Sequence, residues 1–304
     1  MKAMCEILDL QTIHDYNDFL GLETLHPHVG FVDFSKVEVL KHRRKCFGFY
    51  AIFLKEKIHG KITYGRSKYD YQEGTLVFIA PGQVGGIDDD GETPHPQGYA
   101  LLFHQDLIRG TSLTRKMKDY TFFSYEVNEA LHMSEREKQT IYNCFCEIEE
   151  ELHHTIDKHS RSIIVSNIEV VLNHCLRFYD RQFATREAIN SDVLTRFEAL
   201  LNGYFDTNNP QELGLPSVAW CADQLHFSAN YFGDLVKKQT GKSAIEYIHL
   251  AIIGKVKDRL LETNKTVSEI AYEVGFQYPH HLSRLFKKVV GCTPNEYRAQ
   301  AKIV

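Results

Sequence analysis

The sequence predicts a two-domain α+β protein: a strand-rich N-terminal β sandwich or barrel with flanking helices, then an all-α C-terminal domain of two helix-turn-helix units. Three observations lead there. At 304 residues the chain is long enough for two compact domains, each with its own core. Apolar residues run as short β-branched or aromatic stretches in the first part and at helical spacing in the rest. The C-terminal region also aligns with itself at a fixed offset.

Composition sets the class. With 43% hydrophobic and 25% charged residues, the chain is of ordinary globular type. No apolar run reaches the ~18 residues of a spanning helix, and the start MKAMCEILDL lacks the pattern of a signal peptide. A cytoplasmic location with no membrane partner is expected. Seven scattered cysteines without a Cys-x-x-Cys pair suggest neither a disulfide framework nor a zinc site. Charge is uneven, +4 from Leu215 onward and −9 before it, for a total of −5. A basic tail on an acidic body fits a tail that meets phosphate.

Strands are expected at Phe49–Leu54, Gly60–Tyr64, Thr75–Ile79 and Tyr99–Phe103, within a barrel spanning about 30–130. Pro81-Gly82 marks a tight turn, and the polar run Asp88–Pro94 reads as an exposed loop. Closing such a sheet leaves an interior that can hold a small ligand. Two helices follow, at about 134–183. The first opens on the capping box Ser134–Glu137 and carries Ile141, Phe145, Ile148 and Leu152 on one face; the second covers about 160–183. They either cover the sheet or pair with a second subunit. Periodicity lapses at 184–191, which reads as a linker between a domain at 1–183 and one at 192–304.

The repeat defines the second domain. Leu235–Tyr247 aligns with Leu285–Tyr297 at an offset of fifty, and upstream Val218, Cys221, Ala222, Leu225 and Phe227 align with Val267, Ile270, Ala271, Val274 and Phe276 at 49. The first four of each set lie on one helix face. Each copy therefore reads helix, short turn, helix, at about 217–240 and 266–290. Ser228 suits the cap of one second helix, Pro279 the first turn of the other, and Gly275 a left-handed turn. With Phe232, Leu235, Val236, Leu282, Leu285 and Phe286 facing the core, the opposite faces are set. Asn230, Asp234, His280, Ser283 and Arg284 are the candidate base readers, because Arg pairs with guanine and Asn with adenine in the major groove. Lys237, Lys238, Lys242, Lys287, Lys288 and Arg298 are the candidate phosphate contacts. Lysines at a helix C-terminus also favour its dipole, but two copies make double-stranded DNA the expected partner. A joining helix at about 244–262 that sets the units ~34 Å apart would let one chain read two successive groove segments.

Residues Leu215 to Arg298 resemble the AraC type (AraC/XylS family) of transcription regulators, through Val267-Ser-Glu-Ile-Ala-Tyr-Glu-Val-Gly-Phe276, Leu285-Phe-Lys-Lys288 and Thr293-Pro-Asn-Glu-Tyr-Arg298. The resemblance implies promoter binding, an activator role and RNA polymerase as a partner. Two departures stand out: Ile252 where many members carry Arg in the joining helix, and Gly233, which puts no side chain into the groove. Glu73–Gly82 resembles a strand and turn of the cupin-like sensing domains of that family, which implies a small-molecule effector and a homodimer. Tyr50, Ile52, Tyr64, Phe78 and Phe103 are the candidate effector-pocket residues, lining either a cavity or a filled core, since alternation does not say which face is inward.

No enzyme, cofactor or metal is expected. His26-Pro-His28 is the one His-x-His, His95 and His104 stand alone, and no phosphate loop or nucleophile elbow occurs. Two alternatives remain: a regulator whose first domain only dimerises, and a metal-dependent cupin enzyme, which metal analysis of the purified protein separates.

Overall fold

The computed structural model describes residues 7–41, 43–57, 62–64, 67–69, 74–87, 92–94, 96–126, 129–185, 187–207 and 209–301. The chain divides into two compact units, Met1–Thr185 and Arg186–Val304. The division falls inside the segment read as a linker, yet helix runs up to Thr185 and resumes at Glu187.

Unit 1 contains, in order, β1 (Leu8–Leu10), α1 (Ile13–Leu20), β2 (Val29–Asp33), β3 (Val39–Lys41), β4 (Arg44–Phe47), β5 (Tyr50–Lys57), β6 (Ile62–Tyr64), β7 (Ser67–Tyr69), β8 (Thr75–Ile79), β9 (Val84–Ile87), β10 (Glu92–Pro94), β11 (Gln97–Phe103), α2 (Gln105–Ile108), α3 (Ser112–Lys116), β12 (Leu131–His132), α4 (Glu135–His153) and α5 (Ser160–Thr185). The loop expected at 88–94 ends in β10, while residues 88–91 and His95 lie outside the described residues.

The expected closed barrel is corrected by the strand pairing. Among the described residues the strands form open sheets in the orders β1-β4-β9-β6-β7 and β12-β8-β5-β11-β2, with β10 pairing only β3. The physical reason lies in β8, where all five residues are buried: a continuous apolar strand needs cover on both faces. On one face Ala51, Phe53, Val77, Ile79, Ala100 and Leu102 join Phe47 and Phe49 in a core. On the other the helices supply the cover. Phe31 meets Phe145 with ring centroids 6.3 Å apart, Tyr99 meets Tyr142 at 4.8 Å, and Phe78 meets Tyr179 at 6.1 Å. Ser134 forms its capping box with Glu137, and Ile141, Phe145, Ile148 and Leu152 are the buried stripe of α4. Arg181 of α5 then bonds both Glu137 (2.7 Å) and the His132 carbonyl (2.7 Å).

Among the described residues the elements of unit 2 are all helices: α6 (Glu187–Phe205), α7 (Asn209–Leu213), α8 (Val218–Gln224), α9 (Ala229–Thr240), α10 (Ala244–Glu262), α11 (Val267–Glu273), α12 (Pro279–Val290) and α13 (Pro294–Ala301). The core of α10 is Ala244, Ile248, Ile252, Ile253, Val256 and Leu260. Ile252 is fully buried, so a side chain at that position in this chain serves packing. No helix among the described residues is long and apolar enough to cross a membrane.

Candidate nucleic-acid interface

The two helix-turn-helix copies are built by the same local bonds. Ser217 caps α8 by accepting from the Trp220 N–H (3.1 Å), and Thr266 caps α11 in a reciprocal box with Glu269. Each first helix ends on one tertiary-like turn bond: the Phe227 N–H donates to the Ala222 carbonyl and the Phe276 N–H to the Ala271 carbonyl, both at 2.9 Å. Ala is small enough to let the second helix cross there. The turn needs one left-handed residue, and the copies supply it differently, His226 with φ 63 and Gly275 with φ 98. At Gly275 freedom of φ is only half the reason, because a Cβ there would stand 2.7 Å from the Gly214 carbonyl oxygen.

Ser228 accepts from the Tyr231 N–H (3.2 Å) to start α9, whereas α12 starts with Pro279 in its first turn and no side-chain cap. Both second helices stop at a left-handed glycine, Gly241 or Gly291, whose N–H bonds the carbonyl of Lys237 or Lys287 at 2.9 Å. Ser243 and Thr293 then open α10 and α13 with Glu246 and Glu296, and those bonds hold both carboxyls below their usual range.

The apolar faces turn inward as their spacing requires. Tyr231, Phe232, Leu235 and Val236 of α9 are buried, with Phe232 edge-on to Phe197 at 4.9 Å; α12 buries Leu282 and Phe286 and half-buries Leu285. This leaves Asn230, Lys237, Lys238 and Lys242 exposed in the first copy, with Gly233 and Asp234 half-buried. In the second copy His280, Arg284, Lys287 and Lys288 are exposed. Ser283 is half-buried and its hydroxyl donates to the Pro279 carbonyl at 3.4 Å.

Arg298 is half-buried: its Nε donates to the Leu260 carbonyl at 2.9 Å, and its Nη2 is buried. It caps the C-terminal end of α10, where a cation suits the helix dipole. Two residues absent from the candidate set belong to this surface. His281 is exposed with its ring 4.2 Å from that of His280, and Tyr278, 55% exposed, lies 5.6 Å from each. Tyr278 occupies the cap position of α12, and an aromatic residue there has no core to enter.

Four of the effector-pocket residues stand together. Tyr50, Ile52, Phe78 and Phe103 share the helix-facing side, where Tyr50 stacks on Phe103 at 5.0 Å and Phe78 lies 4.4 Å from Phe122. The cavity beside Phe78 measures about 10 Å³, room for about one water. Ile52, Phe78 and Phe103 are buried and Tyr50 is half-buried; the Tyr64 side chain lies outside the described residues. Sequence reasoning missed two lysines that stand apart from that aromatic core. Lys45 donates to the Arg43 carbonyl (3.2 Å) and has its ammonium 4.7 Å from the Phe19 ring; burial pushes it down to about 8. Lys55, by burial and then by the charge of Lys45, is pushed down to about 7.

The chain matches a helix-turn-helix domain family over residues 221–300. It is 38% identical over 92 residues to the uncharacterized transcriptional regulatory protein YesN of Bacillus subtilis, a match covering 29% of this chain and 25% of that protein. To the transposon Tn10 TetD protein of Escherichia coli it is 32% identical over 143 residues, 47% of this chain and 91% of that protein. Among solved structures, the C-terminal domain of AraT, a response regulator from Geobacillus stearothermophilus, is 27% identical, with 36% of this chain and 84% of that one covered and a TM-score of 0.32. The chain thus spans a quarter of YesN and nearly all of TetD.

Proposed function

The chain belongs to the AraC/XylS-type family of helix-turn-helix regulators, and from that premise we propose that it is a sequence-specific transcription regulator whose α9 and α12 enter two adjacent major-groove segments of promoter DNA. The observation that carries the reading is the duplicated turn with a polar, basic second helix on each copy. His280 and Arg284, exposed on α12, are the base readers, joined by Asn230 of α9; Lys237, Lys238, Lys242, Lys287 and Lys288 hold phosphates. The test is selection of bound sequences from a random DNA pool by the full chain. Two conserved segments about one helical turn apart are expected; enrichment of a single segment, or none, rejects the two-segment reading.

The first unit serves in this reading as a cupin-like sensing domain, open instead of closed, and α5 as its dimer helix. Ile163 and Val170, seven residues apart on one face of α5, are both more than 40% exposed, which supports pairing with a second copy. Lys45 and Lys55, both shifted down chiefly by burial, are where an acidic effector would be sought in the first reading. The ring packing at Tyr50, Phe78 and Phe103 favours the second reading, in which unit 1 only dimerises. Binding of a carboxylate that Lys55→Met abolishes separates the two.

A further inference from the structure

The register of β2 and β11 places two histidines opposite each other. Val29 pairs with Phe103 and Gly30 with Leu102, so the next pair along the ladder is His28 and His104, and the His104 N–H indeed donates to the His28 carbonyl at 2.8 Å. Directly opposed residues project from the same face. Their rings stack with centroids 5.9 Å apart and an interplanar angle of 28°. His104 is also the N-cap of α2, which brings Asp106 back over it: Asp106 Oδ2 lies 3.3 Å from His104 Nδ1. One ligand atom each from His28, His104 and Asp106 therefore lies within 4.8 Å of the other two. The histidines that stand apart in the sequence are one cluster in the fold.

We propose that His28, His104 and Asp106 form a binding site for a divalent transition-metal ion of the zinc class. Two imidazoles and one carboxylate are a donor set that zinc accepts and that calcium and magnesium, which take oxygen, do not. The geometry is close to what the ion requires. Bonds of ~2.0–2.1 Å in a tetrahedron put neighbouring donors ~3.3–3.4 Å apart, and the His104–Asp106 pair is at that spacing. The His28 donor, within 4.8 Å of the other two, has up to ~1.5 Å to close. The surroundings orient the ligands. Asp106 gives its other oxygen to Arg109 at 3.1 Å, an outer partner of the kind metal ligands ordinarily have, and the backbone N–H of His28 donates to His26 Nδ1 at 3.0 Å. The His104 Nδ1 lone pair now receives the Asp106 N–H at 3.2 Å, a long bond that an ion would replace with a stronger one. Access is open, since the His104 and Asp106 side chains are 26% and 40% exposed.

An ion there would tie the end of the β2/β11 ladder to the first turn of α2. The far carbonyls of α2 are already held by Arg161 of α5, at 2.9 Å to Leu107 and 2.7 Å to Arg109, so the tie extends to α5. The proposal does not depend on the DNA reading.

The test uses the full chain, stripped by chelator and titrated with zinc chloride against a chromophoric chelator, with cobalt(II) absorption as a second readout of tetrahedral geometry. One tight equivalent per chain is expected, unaffected by excess magnesium or calcium. His28→Gln, Asp106→Asn and His104→Asn should each weaken it by at least about tenfold. Asn preserves the cap acceptor of α2, and His28→Gln removes no cap, so circular dichroism melts should show all three folded. Absence of a stoichiometric site in the wild type, or unchanged affinity in folded His28→Gln and His104→Asn, overturns the proposal.

Discussion

Gly275→Ala is the substitution that the fold resists on two counts. The backbone at this turn has φ 98, where an L side chain costs roughly 1–2 kcal/mol. The new Cβ would also stand 2.7 Å from the Gly214 carbonyl oxygen and 2.9 Å from that of Pro210. Those atoms are backbone, and they are held: the Gly214 N–H bonds Pro210 at 3.0 Å and the Tyr204 hydroxyl bonds Gly214 at 2.9 Å. Relief means moving α7 from α11, an overpacking cost of about 1–3 kcal/mol. The two together give a loss of about 2–5 kcal/mol in unit 2. Trp220 is the one tryptophan of the chain, and it packs on Tyr204 with ring centroids 4.8 Å apart. Its fluorescence during urea unfolding therefore follows unit 2 alone. His226→Ala is the control, since it keeps a Cβ at the equivalent left-handed turn of the first copy. If Gly275→Ala unfolds within ~0.5 kcal/mol of wild type, or no more easily than His226→Ala, the reasoning is wrong.

Other outcomes follow from the same geometry. Arg284→Ala should cost ~1–3 kcal/mol of DNA affinity and relax specificity at one base pair, while Lys288→Ala should weaken all sequences alike and lower the salt slope by about one; binding titrations on cognate and scrambled duplexes separate them. Arg298→Ala should leave the salt slope of DNA binding unchanged and cost roughly 1–3 kcal/mol of unit 2 stability, read by Trp220, through the lost bond to Leu260; a slope lowered by one would return Arg298 to the phosphate set. Lys55 titrates near 7 when folded against 10.5 ordinarily, so between these values the unfolded chain binds more protons and stability rises with pH. Melts followed by circular dichroism from pH 7 to 10 should show that rise in the wild type and a flatter profile in Lys55→Met; identical profiles would refute the assignment.

The second domain was legible because its bonds are written in residue types. Ser228, Pro279 and Gly275 each name a local structure, and the i, i+3, i+4, i+7 apolar sets recur at a fixed offset. His226 was not legible as a left-handed residue, because a histidine takes that conformation only where its neighbours enforce it. The partner of Arg298 was hidden for a related reason: nothing local in the sequence points to the Leu260 carbonyl, thirty-eight residues away. In unit 1 the signals are weaker. β9 has the sequence VGGI, and two glycines in four residues hide a strand. The capping box of α1, Thr12 with Asp15, was present in the sequence but lacked a long apolar stripe to announce it. His28 and His104 could be joined only by knowing the register of two strands. The face on which Tyr50 and Phe103 lie was likewise a matter of which sheet surface the helices cover.

The two second helices keep their core positions at an offset of fifty although the turns before them differ by one residue, so their outer faces can be matched position for position. Asn230 corresponds to His280, Gly233 to Ser283 and Asp234 to Arg284. An acid stands where its twin has a guanidinium, and a hydrogen where its twin has a hydroxyl. The outer faces thus differ in chemistry at each matched position, so in the two-segment reading proposed above the two helices would not prefer the same bases. A site of that kind would be polar, and a single chain bound to it would point in one direction along the duplex, set by the sequence of the site.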